Sequence, residues 1–375
     1  MRSFKMNILY LTNHINPGGI TSYILSLAKG LKAKGHNVYI ATSAGQLLSK
    51  FIYEGIIYMP IPIKTKSEIS PKVLISFFRL IQSVKEKGID VIHSNTRVTQ
   101  VLGCLLSRYS HKPYVSTCHG FFKRRFSRRV FPCWGDKVIA ISQQVKEHLI
   151  NDFKVREDRV RLIANGVDIN EFRQTTVKRL KAKLNLGLGN GPVIGIVARL
   201  SDVKGHIYLI EAMETIVKKV PDAQLLIVGE GKIEKDLINL CNRLKLGKNI
   251  FFIPSVMDTS KVLSAMDLFV LPSLEEGLGL SLMEAMASGL AVIGSDVGGI
   301  KSLILHGYTG LLVKPADSRE LACAISELLL DQDRANIMGN NARMFIARDF
   351  SQEKMVLETE RLYLECVNPA LSYSR

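Results

Sequence analysis

Residues 272–299 read PSLEEGLGLSLMEAMASGLAVIGSDVGG, and the rest of the chain is arranged around them. Just before them the apolar run LFVL (268–271) reads as a buried strand, and Pro272 stops it. The next residues therefore form a loop at the strand's carboxyl end. Glu275 and Glu276 come first, then Gly277-Leu278-Gly279; after these, Leu282, Met283, Ala285, Met286 and Ala287 are spaced as one face of a helix. A helix N-terminus entered through glycines offers unpaired amides and the positive end of the macrodipole, which suits a phosphate. Glu284 stands eight residues after Glu276, so one carboxylate sits in the loop and the other two turns into the helix. Both face one crevice if the helix begins near Gly279. Carboxylates hold sugar and ribose hydroxyls well, and a nucleotide-sugar carries hydroxyls at both ends of a diphosphate. The next strand, LAVIGS (290–295), runs into Gly298-Gly299, where backbone can approach a ligand.

This stretch resembles the signature of the family 4 glycosyltransferases, retaining enzymes of the GT-B fold. In that family two glutamates separated by seven residues precede a small-residue helix and a Gly-Gly turn. The acids, the glycines, the EAMASG run (284–289) and the SDVGG turn (295–299) occur here together and in order. An ordinary buried strand-helix-strand unit would account for the apolar residues but not for paired acids beside glycines. The resemblance implies an α/β chain of two doubly wound, Rossmann-like parallel-sheet domains facing across a cleft. It covers nearly the whole chain and is strongest from Arg199 to Gly299. One departure stands out: the family usually has a glutamate shortly after the Gly-Gly turn, where this chain has Lys301.

With 375 residues, two domains are expected, each large enough for its own core. The boundaries expected are an acceptor-binding domain over 1–188, a nucleotide-sugar-binding domain over 189–350, and a last helix over 351–375 that crosses back, as the resemblance implies. A basic and then glycine-rich stretch, 178–190, is expected to be the linker. Hydrophobic content of 47% and charged content of 22% describe a soluble globular protein. No apolar run reaches the roughly 18 residues that span a bilayer, and the start, MRSFKMNILYLTNH, enters a strand without a small-residue cleavage site, so a cytoplasmic chain is expected. Six cysteines lie scattered without CxxC pairing, arguing against a disulfide framework or zinc site; they are expected to be reduced and mostly buried. Residues 1–188 hold 31 Lys+Arg against 11 Asp+Glu, a net of +20, and the remainder a net of −4. This asymmetry implies a polyanionic partner for the first half, either an anionic membrane or a nucleic acid.

Strands and helices alternate from the start, which means a doubly wound sheet with ligands at the strands' carboxyl ends. MNILYL (6–11) reads as a strand, and Gly18-Gly19 precedes a helix with Ile24, Leu25, Leu27, Ala28 and Leu31. The family has a Gly-Gly turn here, near donor diphosphate or acceptor. A helix over 71–87 carries Val73, Leu74, Phe77, Phe78, Leu80, Ile81 and Val84 as its apolar set. His119 ends the strand over 113–118, facing the crevice, where imidazole can bond a substrate hydroxyl; in the family a matching histidine touches the donor sugar. His93 and His14 are weaker candidates of the same kind.

FFKRRFSRRVF (121–131) carries Lys123, Arg124, Arg125, Arg128 and Arg129 around a stripe of Phe122, Phe126 and Val130. It reads either as an interfacial membrane helix or as a basic loop over the acceptor site. Asn165-Gly166-Val167-Asp168 matches a step that the family has where its first domain ends.

In the second half, Arg199 and Lys204 stand five apart between a strand and a helix, placed to reach one diphosphate from two sides. Family members show the same Arg-Leu and Lys-Gly. Gly229 ends a strand and is expected to approach base and phosphates, and Pro254 comes directly after a strand where the family often seats the base. Asp331 and Asp333 have the spacing of a metal-binding pair but lie far in sequence from the glycine loops, so no metal or cofactor is expected.

The expected reaction is transfer of a sugar, with retention, from a UDP- or GDP-sugar to a hydroxyl, in surface-polysaccharide or lipid-linked glycan synthesis. Arg199, Lys204 and the amides of 277–279 would stabilise the leaving phosphate, Glu276 would hold sugar hydroxyls, and Glu284 the ribose. The expected place is the cytoplasm, with peripheral contact at the inner face of an anionic membrane. A nucleotide-sugar epimerase could share the architecture. A dehydrogenase would need GxGxxG after the first strand, which is missing, and no nucleic-acid motif accompanies the basic half.

Overall fold

The structure, a computed structural model, describes residues 4–123, 126–172 and 176–368, and within them not the side chains of residues 126, 129 and 176–178. The chain divides into two compact units. One holds the chain up to Gly166 together with the segment from Gln352 onward, and the other runs from Val167 to Ser351.

In the first unit, β1 (Asn7–Leu11), β2 (Asn37–Thr42), β3 (Ile57–Pro60), β4 (Val91–Ser94), β5 (Tyr114–Cys118), β6 (Lys137–Ala140) and β7 (Val160–Leu162) form one sheet in the order β3-β2-β1-β4-β5-β6-β7. Every neighbouring pair is parallel. The inner strands β1, β2, β4, β5 and β6 are short runs buried almost throughout, as a sheet covered on both faces requires, while the edge strands β3 and β7 are partly exposed. Helices Gly19–Ala33 and Gln352–Val367 cover one face, burying Ile24, Leu27, Leu31, Met355 and Tyr363. Helices Pro71–Glu86 and Arg97–Ser110 cover the other, burying Val73, Leu80, Val84, Leu102 and Leu106. The last helix lies so close to the first that a Cβ on Gly30 would fall 2.3 Å from Val356 Cγ2.

In the second unit, β8 (Val193–Val197), β9 (Gln224–Val228), β10 (Ile250–Ile253), β11 (Leu268–Leu271), β12 (Ala291–Ser295) and β13 (Gly310–Val313) repeat the plan as β10-β9-β8-β11-β12-β13, again all parallel. The order reverses between β1 and β4 in one sheet and between β8 and β11 in the other. Loops diverge at such switch points and leave a crevice outside the carboxyl ends of the strands.

Four expectations need revision. The stretch 178–190 belongs to the second unit, because Arg179 and Lys183 from helix Thr176–Asn185 both pair with Asp267 at 2.9 and 2.8 Å; the division falls at Gly166 instead. Of the seven apolar residues expected to face inward from helix Pro71–Glu86, Leu74 and Phe78 are exposed, and Phe77 and Ile81 are half-buried. Cys118 and Cys241 alone of the six cysteines are buried, and Cys323 is exposed. Among the described residues of segment 121–131 the helix runs over Phe126–Val130, and Phe122 lies outside it. Asp331 caps helix Gln332–Asp349 by accepting from the Arg334 amide at 3.0 Å. Among the described residues no helix is long and apolar enough to cross a membrane.

Candidate functional site

The β8/β11 switch point of the second unit gathers most of the residues singled out from the sequence. After β8 the chain passes Arg199, makes a short 3-10 turn over Asp202–Lys204, and enters helix His206–Lys219 through Gly205 at φ +71. After β11 it passes Ser273 and the two glutamates and enters helix Leu280–Ala287 through Gly279 at φ +96. Neither N-cap glycine has a side chain to offer, so no side-chain cap occupies the first-turn amides. The two loops touch backbone to backbone: the Leu274 amide donates to Val203 O at 2.8 Å, and a Cβ on Gly205 would lie 1.9 Å from Pro272 O.

That contact brings Lys204 Nζ to 2.5 Å from Glu276 Oε2, with both side chains largely shielded from solvent; Ser273 Oγ reaches the same oxygen at 3.4 Å. Arg199 is exposed and has no ion-pair partner among the described residues. Glu275 points outward, and Glu284 is buried on helix Leu280–Ala287. The turn after β12 closes over the same loop. A Cβ on Gly298 would lie 2.1 Å from Glu276 O, one on Gly299 2.3 Å from Gly277 O, and the Gly299 amide donates to Glu276 O at 3.0 Å. Lys301, which stands where the family has an acid, pairs with Asp296 at 3.2 Å.

On the far side of β8, the Gly229 amide donates to Ile253 O at 3.0 Å, which sets Gly229 beside Pro254; a Cβ on Gly229 would meet Ala198 O at 2.1 Å. Pro254, Gly229, Arg199, Lys204, Glu276, Gly277, Leu278 and Gly279 therefore succeed one another along one carboxyl edge. His206 escaped the sequence reading. It is buried, neither ring nitrogen has a hydrogen-bond partner among the described residues, and burial, helped by Lys204, lowers its pKa to about 4.

In the first unit, Gly18 (φ +150) and Gly19 open helix Gly19–Ala33, with nothing within 4 Å of where a Cβ would stand on either. His119 comes after β5, donating from Nε2 to Asn95 Oδ1 at 3.2 Å and packing edge-on against Tyr23 with ring centroids 4.8 Å apart. Burial drives its pKa down, so the imidazole is neutral. Asn95, directly after β4, is buried, and its Nδ2 has no hydrogen-bond partner. Its place at the end of a switch-point strand was the available signal. His93 is not a ligand-facing residue. It is fully buried and bonded to Tyr363 OH (2.5 Å) and Thr117 Oγ1 (2.7 Å), in a chain that continues to Tyr10 and Tyr23.

The basic segment splits. Lys123 is exposed, Arg124 and Arg125 lie outside the described residues, as does the side chain of Arg129, and Arg128 is buried. The Arg128 guanidinium lies over the rings of Phe122 (4.1 Å), Trp134 (5.0 Å) and Phe153 (5.6 Å), an interior cation–π cage that takes it away from any membrane or acceptor. Among the described residues no group of three or more His, Cys, Asp or Glu side chains converges as metal ligands do.

Comparisons with known proteins match both halves of the chain. The family described as "Glycosyl transferases group 1" matches residues 178–345, and "Glycosyltransferase Family 4" matches residues 17–171. The Escherichia coli UDP-Gal:alpha-D-GlcNAc-diphosphoundecaprenol alpha-1,3-galactosyltransferase is 32% identical over 314 residues, 79% of this chain and 80% of that one. The Staphylococcus aureus capsular polysaccharide biosynthesis glycosyltransferase CapM is 26% identical over 89% of this chain and 91% of its own. Crystal structures of Anabaena HepE, with UDP and glucose and with UDP-glucose, superpose with a TM-score of 0.85 at 25% identity, covering 95% of this chain and 99% of that one.

Proposed function

Because the chain belongs to the family 4, group 1 glycosyltransferases of the GT-B fold, we propose that it moves a sugar, with retention, from UDP-sugar to a hydroxyl of a lipid-linked acceptor in polysaccharide assembly. The observation that carries the donor site is the Lys204–Glu276 pair, set at a switch point beside two helix N-termini without side-chain caps. Departure of the leaving group breaks the bond between the anomeric carbon and the β-phosphate oxygen and builds negative charge on that phosphate. Lys204, held by Glu276, would receive it together with the exposed Arg199 and the amides near Gly277 to Gly279. Glu276 orients Lys204 and offers its remaining oxygen to sugar hydroxyls, and Glu284 takes the ribose.

In the front-face route that the family resemblance implies, the acceptor oxygen bonds to the anomeric carbon and its proton passes to the departing phosphate oxygen. No carboxylate nucleophile is needed, and the cations and amides do the work that a metal would do. Neutral His119 offers a hydrogen bond to a substrate hydroxyl at the carboxyl edge of the first unit, and Gly18-Gly19 leaves room for a substrate group against the first helix. UDP is favoured over GDP by the E. coli relative's UDP-Gal and by the UDP complexes of HepE. A lipid diphosphate acceptor is favoured by the E. coli relative, and polysaccharide assembly by CapM.

Calorimetry with UDP and GDP, each with and without EDTA, tests the donor site. UDP should bind alone of the two, indifferent to EDTA. Lys204→Ala should lower turnover by about a hundredfold or more; turnover within about threefold of wild type removes Lys204 from the mechanism. Conversion of the donor sugar with no acceptor present would instead favour an epimerase.

A further inference from the structure

Helix Pro71–Glu86 buries Val73, Ser76, Leu80 and Val84 and turns a second apolar stripe outward. Leu74 is 54% exposed, Ile75 47% and Phe78 64%, and Ile69, just before the helix, is 89% exposed. The stripe does not stop at the helix. Phe78 meets Phe77 edge-on (5.4 Å), Phe77 meets Tyr109 (5.8 Å), and Tyr109 is itself 57% exposed. At the other end Arg97 pairs with Glu68 and donates to the carbonyls of Phe131 and Pro132, which sets Phe131, 63% exposed, near Ile69. Contiguous exposed apolar surface of this kind marks a place where something binds.

The charges beside it name what binds. Lys72, Arg79 and Lys85 are exposed on the same helix, and Lys64 and Lys66 precede it. The acids of the stretch are engaged, Glu68 by Arg97 and Glu86 by Gln82. Apolar side chains among cations complement an anionic bilayer, which takes the former below its headgroups and attracts the latter. The upper end of the stripe also adjoins the first unit's site: Lys72 Nζ donates to Lys64 O, Asn13 Nδ2 to Thr65 O, and Asn13 joins Thr96 at the β1/β4 switch point.

We propose that helix Pro71–Glu86, with Ile69 and Phe131 at one end and Tyr109 at the other, is the face by which the protein docks on an anionic membrane. Docked in this way, the carboxyl edge of the first sheet, where the helix begins, would lie alongside the bilayer and next to acceptors carried in it. That consequence, though not the surface itself, rests on the function proposed above.

Sedimentation of the full chain with phosphatidylcholine vesicles, with and without phosphatidylglycerol, tests the face. Wild type should bind the anionic vesicles. Lys72→Gln, Arg79→Gln and Lys85→Gln together should weaken binding roughly a hundredfold, and Leu74→Ser, Ile75→Ser and Phe78→Ser at least about tenfold. Both triple variants should melt with wild type, since all six side chains are exposed. Unchanged binding by both triple variants, or no binding by wild type, overturns the proposal. So does a concentration-dependent dimer that the serine variant abolishes while vesicles are ignored, because a second copy would then own the face. Loss of UDP binding with vesicle binding intact would count against the donor site and leave this surface standing.

Discussion

His206, beside Lys204, ties the stability of the fold to pH through its burial. It is buried behind Lys204 with neither nitrogen satisfied, and its pKa falls to about 4; His93, fully buried, falls to about 3. In the unfolded chain both titrate near 6.5. The native state therefore binds fewer protons than the unfolded one below that pH. The stability that comes from keeping these rings neutral is complete above about pH 6.5 and is lost as pH falls toward 4, at about 1.4 kcal/mol per pH unit for each ring. His206→Gln should remove one such share from the slope, measured by urea unfolding at several pH values. An unchanged slope would mean that His206 takes up its proton without cost. The Lys204–Glu276 pair lies at the same scale. Two cations five positions apart and two acids eight positions apart pointed to a ligand, but nothing in that spacing said that Lys204 and Glu276 would meet.

At the scale of elements, the site depends on loops that touch without side chains between them. Gly205 makes one of the closest contacts, at φ +71 with Pro272 O directly against its Cα hydrogen face. Gly205→Ala would force the β8 and β11 loops apart, separating Lys204 from Glu276. It should cost at least about 1 kcal/mol in unfolding free energy and weaken UDP binding with it. Gly19→Ala is the contrast, with open space where its Cβ would stand; its stability should stay within about 0.5 kcal/mol of wild type by the same unfolding measurement. Most elements were legible because a doubly wound sheet writes short apolar runs, turn glycines and helical periodicity in strict alternation. Helix Pro71–Glu86 was legible as a helix but not as to its faces. Val73, Phe77, Leu80 and Val84 make one helical stripe, Leu74, Ile75 and Phe78 another, and periodicity alone cannot say which one a sheet will cover.

The whole molecule separates its charge by unit. The first unit holds 29 Lys+Arg against 13 Asp+Glu and the second 21 against 21, so the entire net charge of +16 belongs to the first. A division at residue 188 gives a different split because it assigns the cations of helix Thr176–Asn185 to the wrong unit. Membrane attachment through exposed cations should fade as salt rises from about 0.1 M to about 1 M, where the Debye length shrinks from about 10 Å to about 3 Å. UDP binding at the shielded Lys204 should change less; sedimentation and calorimetry across that range check both. Vesicle binding that ignores salt would mean that the apolar stripe alone holds the protein.

By itself, the amino-acid sequence determined the family, the alternation of strands and helices, and the carboxyl-end loops in which the candidate site residues stand. These come from local chemistry, because prolines, glycines and apolar periods act on their immediate neighbours. The tertiary structure decided which of those groups meet and which turn inward: Lys204 against Glu276, His93 against Tyr363, Arg128 inside an aromatic cage, and Leu74 and Phe78 left outside. Such pairings join residues separated by up to 270 positions, and they arise only when strand order and helix packing bring the loops together.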